Sequence, residues 1–466
     1  MASTLQLTRC LSSTLCRRYF STQKNHYDVL IVGGGVVGSA CAKLLEERCG
    51  TSLSIGLLEQ SPSLQLLDSG GIPNPRSYAL SPKSMDLLKV DTSIPDKLGN
   101  YKTMQVWQQN APWTLVFTSD DLPEHHDRLG ACVEDSVLVN SLYNSLETTC
   151  VYRGETVKDL HQDTNTRRVS LSTTSHEFTT SLLIAADGGN SWVRQKLGIP
   201  WLGWDYGRTA LTFTVELQHT TGMPPCAFQR FLPNGPIALL PTYSQKHAVV
   251  VWSTTPAQAR QYQEASPDEL VAQLNTLLQV GPQRPAPLVE STTSSSLLNH
   301  VLYGIERLVD TVHFGLALRQ WNDMERGFQV PPIVTALASP RVTFPLSCRH
   351  VSSYTQHRVA LVGDAAHTVH PMAGQGLNLG LDDVDVLTRT IQKAHASGMD
   401  LATFLDEYHG ARRAEVQLKL SGIHMLHELL GNQQSTLLQH ANSMGMQVAN
   451  QVSPIRRQLV AMAAGL

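Results

Sequence analysis

Gly33, Gly35 and Gly38 stand in the spacing G-x-G-x-x-G, directly after the apolar run Tyr27-Asp28-Val29-Leu30-Ile31-Val32. Glycines in this pattern leave bare backbone for a pyrophosphate. Gly33 permits the tight turn, Gly35 the close approach, and Gly38 the packing of the next helix on its sheet, whose N-terminus then faces the phosphates. Glu59 closes a second apolar run, Leu53-Ser54-Ile55-Gly56-Leu57-Leu58. A carboxylate at that strand end, about twenty residues past the last glycine, suits the two hydroxyls of an adenosine ribose. An acid rather than an arginine disfavours a 2′-phosphate, so the dinucleotide is FAD or NAD rather than NADP.

These residues need a strand, a turn and a helix to hold them, and the same arrangement recurs twice. Leu182-Leu183-Ile184-Ala185-Ala186 reads as a buried strand ending in Asp187-Gly188, with a helix after it. Taken separately, Asp187-Gly188 is an ordinary strand-end turn. Arg358-Val359-Ala360-Leu361-Val362 is another buried strand, running into Gly363-Asp364-Ala365-Ala366-His367 and then Thr368-Val369-His370-Pro371-Met372-Ala373-Gly374-Gln375-Gly376-Leu377-Asn378. Leu377, Leu381, Val384, Leu387 and Ile391 follow helical spacing, which predicts a helix opened by that loop. From about residue 206 to 338 the character changes to strand-like alternation with Pro-rich turns. Ala227–Leu232, Ile237–Leu240 and Ala248–Ser253 read as neighbouring antiparallel strands, the first two joined by Pro233-Asn234-Gly235-Pro236. Met104–Trp107 and Leu115–Phe117 are expected in the same sheet, which could wall off a pocket for a flat apolar molecule.

The Gly363–Asn378 segment resembles the second flavin motif of the FAD-dependent aromatic hydroxylases, the class A flavoprotein monooxygenases. Asp187-Gly188 resembles that family's Asp-Gly motif, and Arg76, in Pro73-Asn74-Pro75-Arg76-Ser77, matches a position where the family places an arginine near the flavin. The resemblance selects FAD. Asp364 is then placed to accept from the ribityl hydroxyls, and Gly374-Gln375-Gly376 to present backbone N–H groups to the electron-rich side of a reduced flavin. Gly363 and Asn378 complete that loop. The block Phe228–Pro241, with Val251-Trp252, closely resembles the ubiquinone-biosynthesis hydroxylase branch.

The resemblance implies an α/β fold: an FAD-binding Rossmann-like domain of glutathione-reductase type, an inserted antiparallel-sheet substrate domain and a helical C-terminal part. The expected boundaries are 25–100, 126–205 and 339–400 for the flavin domain, 101–125 and 206–338 for the sheet domain, and 401–466 for the helical segment. It also implies an O₂-dependent reaction in which a flavin C4a-hydroperoxide hydroxylates C5 of a polyprenylated 4-hydroxybenzoate-derived ring. Electrons would come from a ferredoxin and its reductase, or directly from NAD(P)H as in other aromatic hydroxylases, beside other ubiquinone-biosynthesis enzymes in a complex. The chemistry sits on the flavin, so no side chain stands out as acid or base. His367 and His370 in the flavin loop are weak catalytic candidates, and Arg230 is a weak candidate for a substrate carboxylate or phenolate, or else a solvated charge. Pro371 is expected to shape the loop. A dehydrogenase or oxidase, or a non-catalytic flavin subunit, is the competing class.

The 466 residues, 42 % hydrophobic and 16 % charged, exclude a disordered chain. A net charge of −3 and 6 % aromatics give no reason to expect nucleic acid. Eight cysteines without a Cys-x-x-Cys pair imply neither a disulfide framework nor a zinc knuckle, and His125-His126 and Asp120-Asp121 lack completing ligands, so no metal is expected. Residues 1–24 carry Arg9, Arg17, Arg18 and Lys24 among Ser and Thr, with no acid before Asp28, the composition of a mitochondrial transit peptide. No run is long and apolar enough to span a bilayer. With a prenylated substrate, the expected location is the matrix face of the inner membrane, held peripherally. Leu426, Leu429, Leu430, Leu459, Val460 and Met462 either touch the membrane or, as the favoured reading has it, pack on the protein's own core.

Overall fold

The structure, a computed structural model, describes residues 25–64, 71–108, 114–122, 126–218, 225–282, 328–370, 374–431, 456–457 and 460. The transit-peptide reading, Pro371, His125, Leu459, Met462 and the side chains of Leu426, Leu429 and Leu430 lie outside the described residues.

Apolar runs without alternation make strands that are buried on both faces, the signature of a parallel sheet. Asn25–Val32, whose Val29, Leu30 and Ile31 are wholly buried, is such a strand. It pairs in parallel with Ile55–Glu59 on one side and Glu177–Ala185 on the other. Val359–Leu361 and Cys150–Arg153 add parallel strands outside these two. The sheet order is therefore Thr355–Gln356, Val359–Leu361, Glu177–Ala185, Asn25–Val32, Ile55–Glu59, Cys150–Arg153, with an antiparallel extension through Arg168–Thr173 and Val157–Asp163. The strands that precede all three glycine-containing motifs are neighbours, and their carboxyl ends lie together. Helices Val36–Cys49 and Gln375–Ala396 pack on one another and on this sheet. Leu377, Leu381, Val384, Leu387 and Ile391 all face inward, as their spacing requires.

Helix Leu405–Gly431 belongs to the same core. Leu405, Tyr408, Val416 and Leu420 are buried in it, and the Tyr408 hydroxyl donates to the Leu361 carbonyl at 2.7 Å. The expected boundary at 401 therefore divides a single packed unit: the helix's inward face continues the flavin-side core instead of forming a separate segment.

The second sheet has nine strands, in the order His367–Thr368, Val342–Val351, Trp201–Leu217, His247–Thr254, Gly235–Pro241, Cys226–Leu232, Thr103–Gln108, Thr114–Thr118, with Val334–Leu337 beside Trp201–Leu217. Its pairs are antiparallel except Cys226–Leu232 with Thr103–Gln108. The two strands with most ladder between them, Trp201–Leu217 and Val342–Val351, run past the expected limits of 206 and 338. Their ends were not legible because Leu202, Gly203, Trp204 and Asp205 are exposed without alternation, Gly203 has φ +134°, and the register shifts between Asp205 and Arg208. One face of this sheet packs Trp107, Phe213, Phe228 and Trp252 against Leu270, Leu274 and Leu278 of helix Pro267–Leu278. That helix is started by a Ser266/Glu269 capping box. The opposite face meets the flavin-side domain. A three-stranded sheet, Ser77–Leu80, Gly130–Glu134, Gly99–Tyr101, lies beside both. Among the described residues no helix is long and apolar enough to cross a membrane.

Candidate functional site

A solvent-open cleft of about 290 Å³ lies at the carboxyl ends of the parallel strands. In open parallel sheets this is where ligands bind. Gly34, Gly35, Glu59, Arg76, Gly188, Asp364 and Gly376 all line it, so residues more than 340 positions apart in the chain share one wall.

The three motif glycines differ in what surrounds them. A Cβ on Gly33, whose φ is +101°, would lie 2.3 Å from the Ala186 carbonyl oxygen, and one on Gly38 would lie 1.9 Å from that of Gly33. Both are closed in by the protein itself. A Cβ on Gly35 would meet nothing within 4 Å. Gly35 is the N-cap of Val36–Cys49 and no side chain caps that helix, so its first N–H groups open onto the cleft. This is a fit for an anionic group on bare backbone.

Glu59 spans the next step along the cleft. Its Oε2 accepts from the Gly34 N–H at 2.8 Å and its Oε1 from that of Ser61 at 2.7 Å. Beside it stand Tyr143 and Arg153, which no motif contains. The Arg153 guanidinium lies 4.3 Å from the centre of the Tyr143 ring, and both the Tyr143 hydroxyl and Arg153 Nη1 are buried without a hydrogen-bond partner. Burial pushes the Tyr143 hydroxyl up to about 12. The available signal was positional only: Arg153 ends the strand beside Glu59 and pairs with it in register.

Arg76 extends into the cleft from a loop stitched on both sides. The Asp135 N–H donates to the Arg76 carbonyl at 2.9 Å, the Asn74 N–H to Glu134 Oε2 at 2.8 Å, and the Thr212 and Thr214 hydroxyls to the carbonyls of Pro75 and Pro73. Its guanidinium is mostly exposed, 3.5 Å from Asp135 Oδ2. Asp364 sits in the turn Gly363–Ala365 with its carboxyl open to the cleft. The surrounding protein crowds water from that carboxyl and raises it above the ordinary range, against the pull of His367 and Arg76.

Asp187 is turned the other way. Its Oδ2 accepts from the Val193 N–H at 3.0 Å at the start of helix Trp192–Lys196, its Oδ1 has no partner, and burial raises its carboxyl. Gly363 packs on Val37 in a left-handed conformation, φ +59°. Gly374 is the left-handed N-cap of Gln375–Ala396, and Gln375 is buried behind it. Asn378 is consumed by backbone: its amide donates to Ala79 and Gly374 carbonyls at 2.9 and 3.0 Å, and its oxygen accepts from the Ser81 N–H at 3.0 Å. It ties the loop to the strand Ser77–Leu80.

The three weak catalytic candidates are not brought together. His367 is wholly buried, with Nε2 2.6 Å from Asp383 Oδ2. His370 is also buried, edge-on to Tyr206 and 3.3 Å from the Ser253 hydroxyl. Arg230 is neither at the cleft nor solvated. Register places it in line with Ile237, Trp252 and Leu211, on the helix-covered face, where it donates to the Leu277 carbonyl. Burial lowers its guanidinium to about 10. The residue before it, Gln229, lines up with Ala238, Val251 and Thr212 on the face toward the cleft domain. A one-residue step reverses the face.

Residues 26–295 and 325–421 match the family model described as an FAD binding domain. The ubiquinone biosynthesis monooxygenase COQ6, mitochondrial, of Drosophila melanogaster is 31 % identical over 460 residues, covering 96 % of this chain and 91 % of that protein. The Homo sapiens protein of that name is 32 % identical over 458 residues, covering 94 % and 92 %. The chain belongs to the ubiquinone-biosynthesis monooxygenase family. Its FAD-binding aromatic-hydroxylase fold is shared with p-nitrophenol 4-monooxygenase PnpA from Pseudomonas putida DLL-E4, at TM-score 0.67 and 17 % identity over 94 % of this chain and 97 % of that one. Aklavinone-11 hydroxylase, solved with FAD and aklavinone, gives TM-score 0.60 at 16 % identity, over 88 % of this chain and 70 % of that one. As a member of this monooxygenase family the protein is a flavoprotein oxidoreductase whose cofactor is FAD.

Proposed function

We propose that this monooxygenase hydroxylates C5 of a polyprenylated 4-hydroxybenzoate-derived ring in ubiquinone biosynthesis, at the matrix face of the mitochondrial inner membrane, after removal of an import leader. The observation that carries the reading is the convergence of all three motifs and Arg76 on one cleft.

In this reading the residues divide the cofactor among them. The uncapped helix end at Gly35 receives the pyrophosphate, with Gly33 and Gly38 shaping its turn. Glu59 takes the adenosine ribose hydroxyls and Asp364 the ribityl hydroxyls. Arg76, Gly188 and Gly374–Gly376 border the ring system, while Asp187, Gly363 and Asn378 hold the segments that carry those contacts. Reduced flavin, when bound, supplies the O₂ activation needed to put one oxygen atom on an electron-rich ring. The chain must hold that ring against the flavin and keep water away. The Thr212–Val251–Ala238–Gln229 row supplies the wall for this. Electrons arrive from a ferredoxin system, and partner enzymes of the same route hold the protein at the membrane, because the prenyl tail keeps the substrate there. Support for this substrate and location comes from the names of the relatives and the composition of residues 1–24.

The test is stoichiometry. Oxygen uptake by the reduced holoenzyme with its ring substrate should match hydroxylated product one for one. Uptake matched instead by hydrogen peroxide, with no oxygenated ring, would assign an oxidase.

A further inference from the structure

Buried polar groups of the flavin-side domain gather on a residue that none of the motifs contains. Asp383, on helix Gln375–Ala396, has no exposed surface, yet its carboxylate takes three donors. Oδ2 accepts from the Gly363 N–H at 2.9 Å and stands 2.6 Å from His367 Nε2, while Oδ1 accepts from Arg412 Nε at 2.7 Å. Gly363 and His367 bracket Asp364, so one carboxylate grips both ends of the turn that aims another into the cleft. Arg412 comes from helix Leu405–Gly431, is wholly buried, and also donates to the Leu379 carbonyl and to Glu415.

A buried ion pair is a poor source of net stability, because apolar side chains of like volume usually do as well. What it supplies is fixed direction. Two of the three bonds here end on the Gly363–His367 turn, whose φ of +59° at Gly363 leaves the backbone weakly restrained by itself. We propose that Asp383 is a positioning residue for the flavin: anchored by Arg412, it fixes the turn and thereby the direction of the Asp364 carboxylate. This rests on the reading of Asp364 as a cofactor ligand.

The experiment is a double-mutant cycle on FAD affinity, titrating FAD into deflavinated full-length protein and checking the fold by circular dichroism. Asp364→Ala should weaken FAD about tenfold to hundredfold and Asp383→Asn about tenfold. A residue acting through Asp364 adds nothing once Asp364 is gone, so the double variant should match Asp364→Ala within about twofold. General loosening of the domain would instead multiply the two losses. Multiplying effects, or an Asp383→Asn affinity equal to wild type beside a weakened Asp364→Ala, overturns the proposal and leaves the Asp364 reading standing. Normal affinity in Asp364→Ala overturns both. If Asp383→Asn does not fold, His367→Ala removes one grip and keeps the Asp383–Arg412 pair. It should weaken FAD about threefold alone and not at all on Asp364→Ala, and additivity there is equally fatal.

Discussion

Part of the cleft floor is bare backbone: Gly35 with nothing within 4 Å and the uncapped end of Val36–Cys49. On the large sheet, the face turned to the flavin-side domain is side chains, in a row that takes Thr212, Val251, Ala238 and Gln229 from four different strands. The floor is written in short spacings, because glycine positions along one turn decide where phosphate fits. The wall is written in register between strands far apart in sequence, and its meaning reverses with a single-residue step.

The sharpest break between floor residues should come from the glycines themselves. Gly38→Val drives a side chain into the Gly33 backbone carbonyl, a clash that costs about 1–3 kcal/mol or more and should leave little folded protein. Gly35→Glu places its side chain in open cleft. The fold should survive with the melting temperature of the deflavinated wild type while FAD is lost, since size and negative charge occupy the pyrophosphate position. Normal flavin occupancy in a folded Gly35→Glu protein would remove the floor assignment.

On the wall, Gln229→Leu and Arg230→Met form a matched pair. The first should raise KM for the ring substrate by about threefold to thirtyfold, the scale of one lost polar contact. The second, on the opposite face, should leave kcat/KM within about threefold, because it deletes a desolvated charge far from the ring. Reversed results would place the substrate on the helix-covered face.

The parallel strands, the order of the motifs and the helix from Gln375 were legible because burial on both faces and 3.6-residue spacing are local properties. Arg230 was misplaced because alternation gives two faces and no means of choosing between them until Thr212 and Ser253 are seen to touch the flavin-side loops. Tyr143 and Arg153 carried no spacing to find. Asp383 was hidden in plain view, as one of three acids, Asp382, Asp383 and Asp385, that look like a solvated stretch until the helix is oriented.

The smallest effect is a pH dependence. Burial pushes the Asp383 carboxyl up, but His367 and Arg412 outweigh it and hold it below the ordinary range in the folded chain. Its stabilisation is then full above the unfolded value of about 3.9 and is lost as pH falls through the lower folded value. The melting-temperature gap between wild type and Asp383→Asn should hold steady from about pH 7 to 5 and shrink below about pH 4. A gap that widens on acidification would mean the group is protonated in the folded protein.

The most direct test of the whole account is quinone-lipid mass spectrometry of cells lacking this protein, complemented by wild type or by Gly35→Glu. The account predicts an accumulated prenylated ring missing its C5 oxygen, cleared by wild type and not by Gly35→Glu. Equal rescue by both would contradict it, and so would an intermediate that already carries that oxygen.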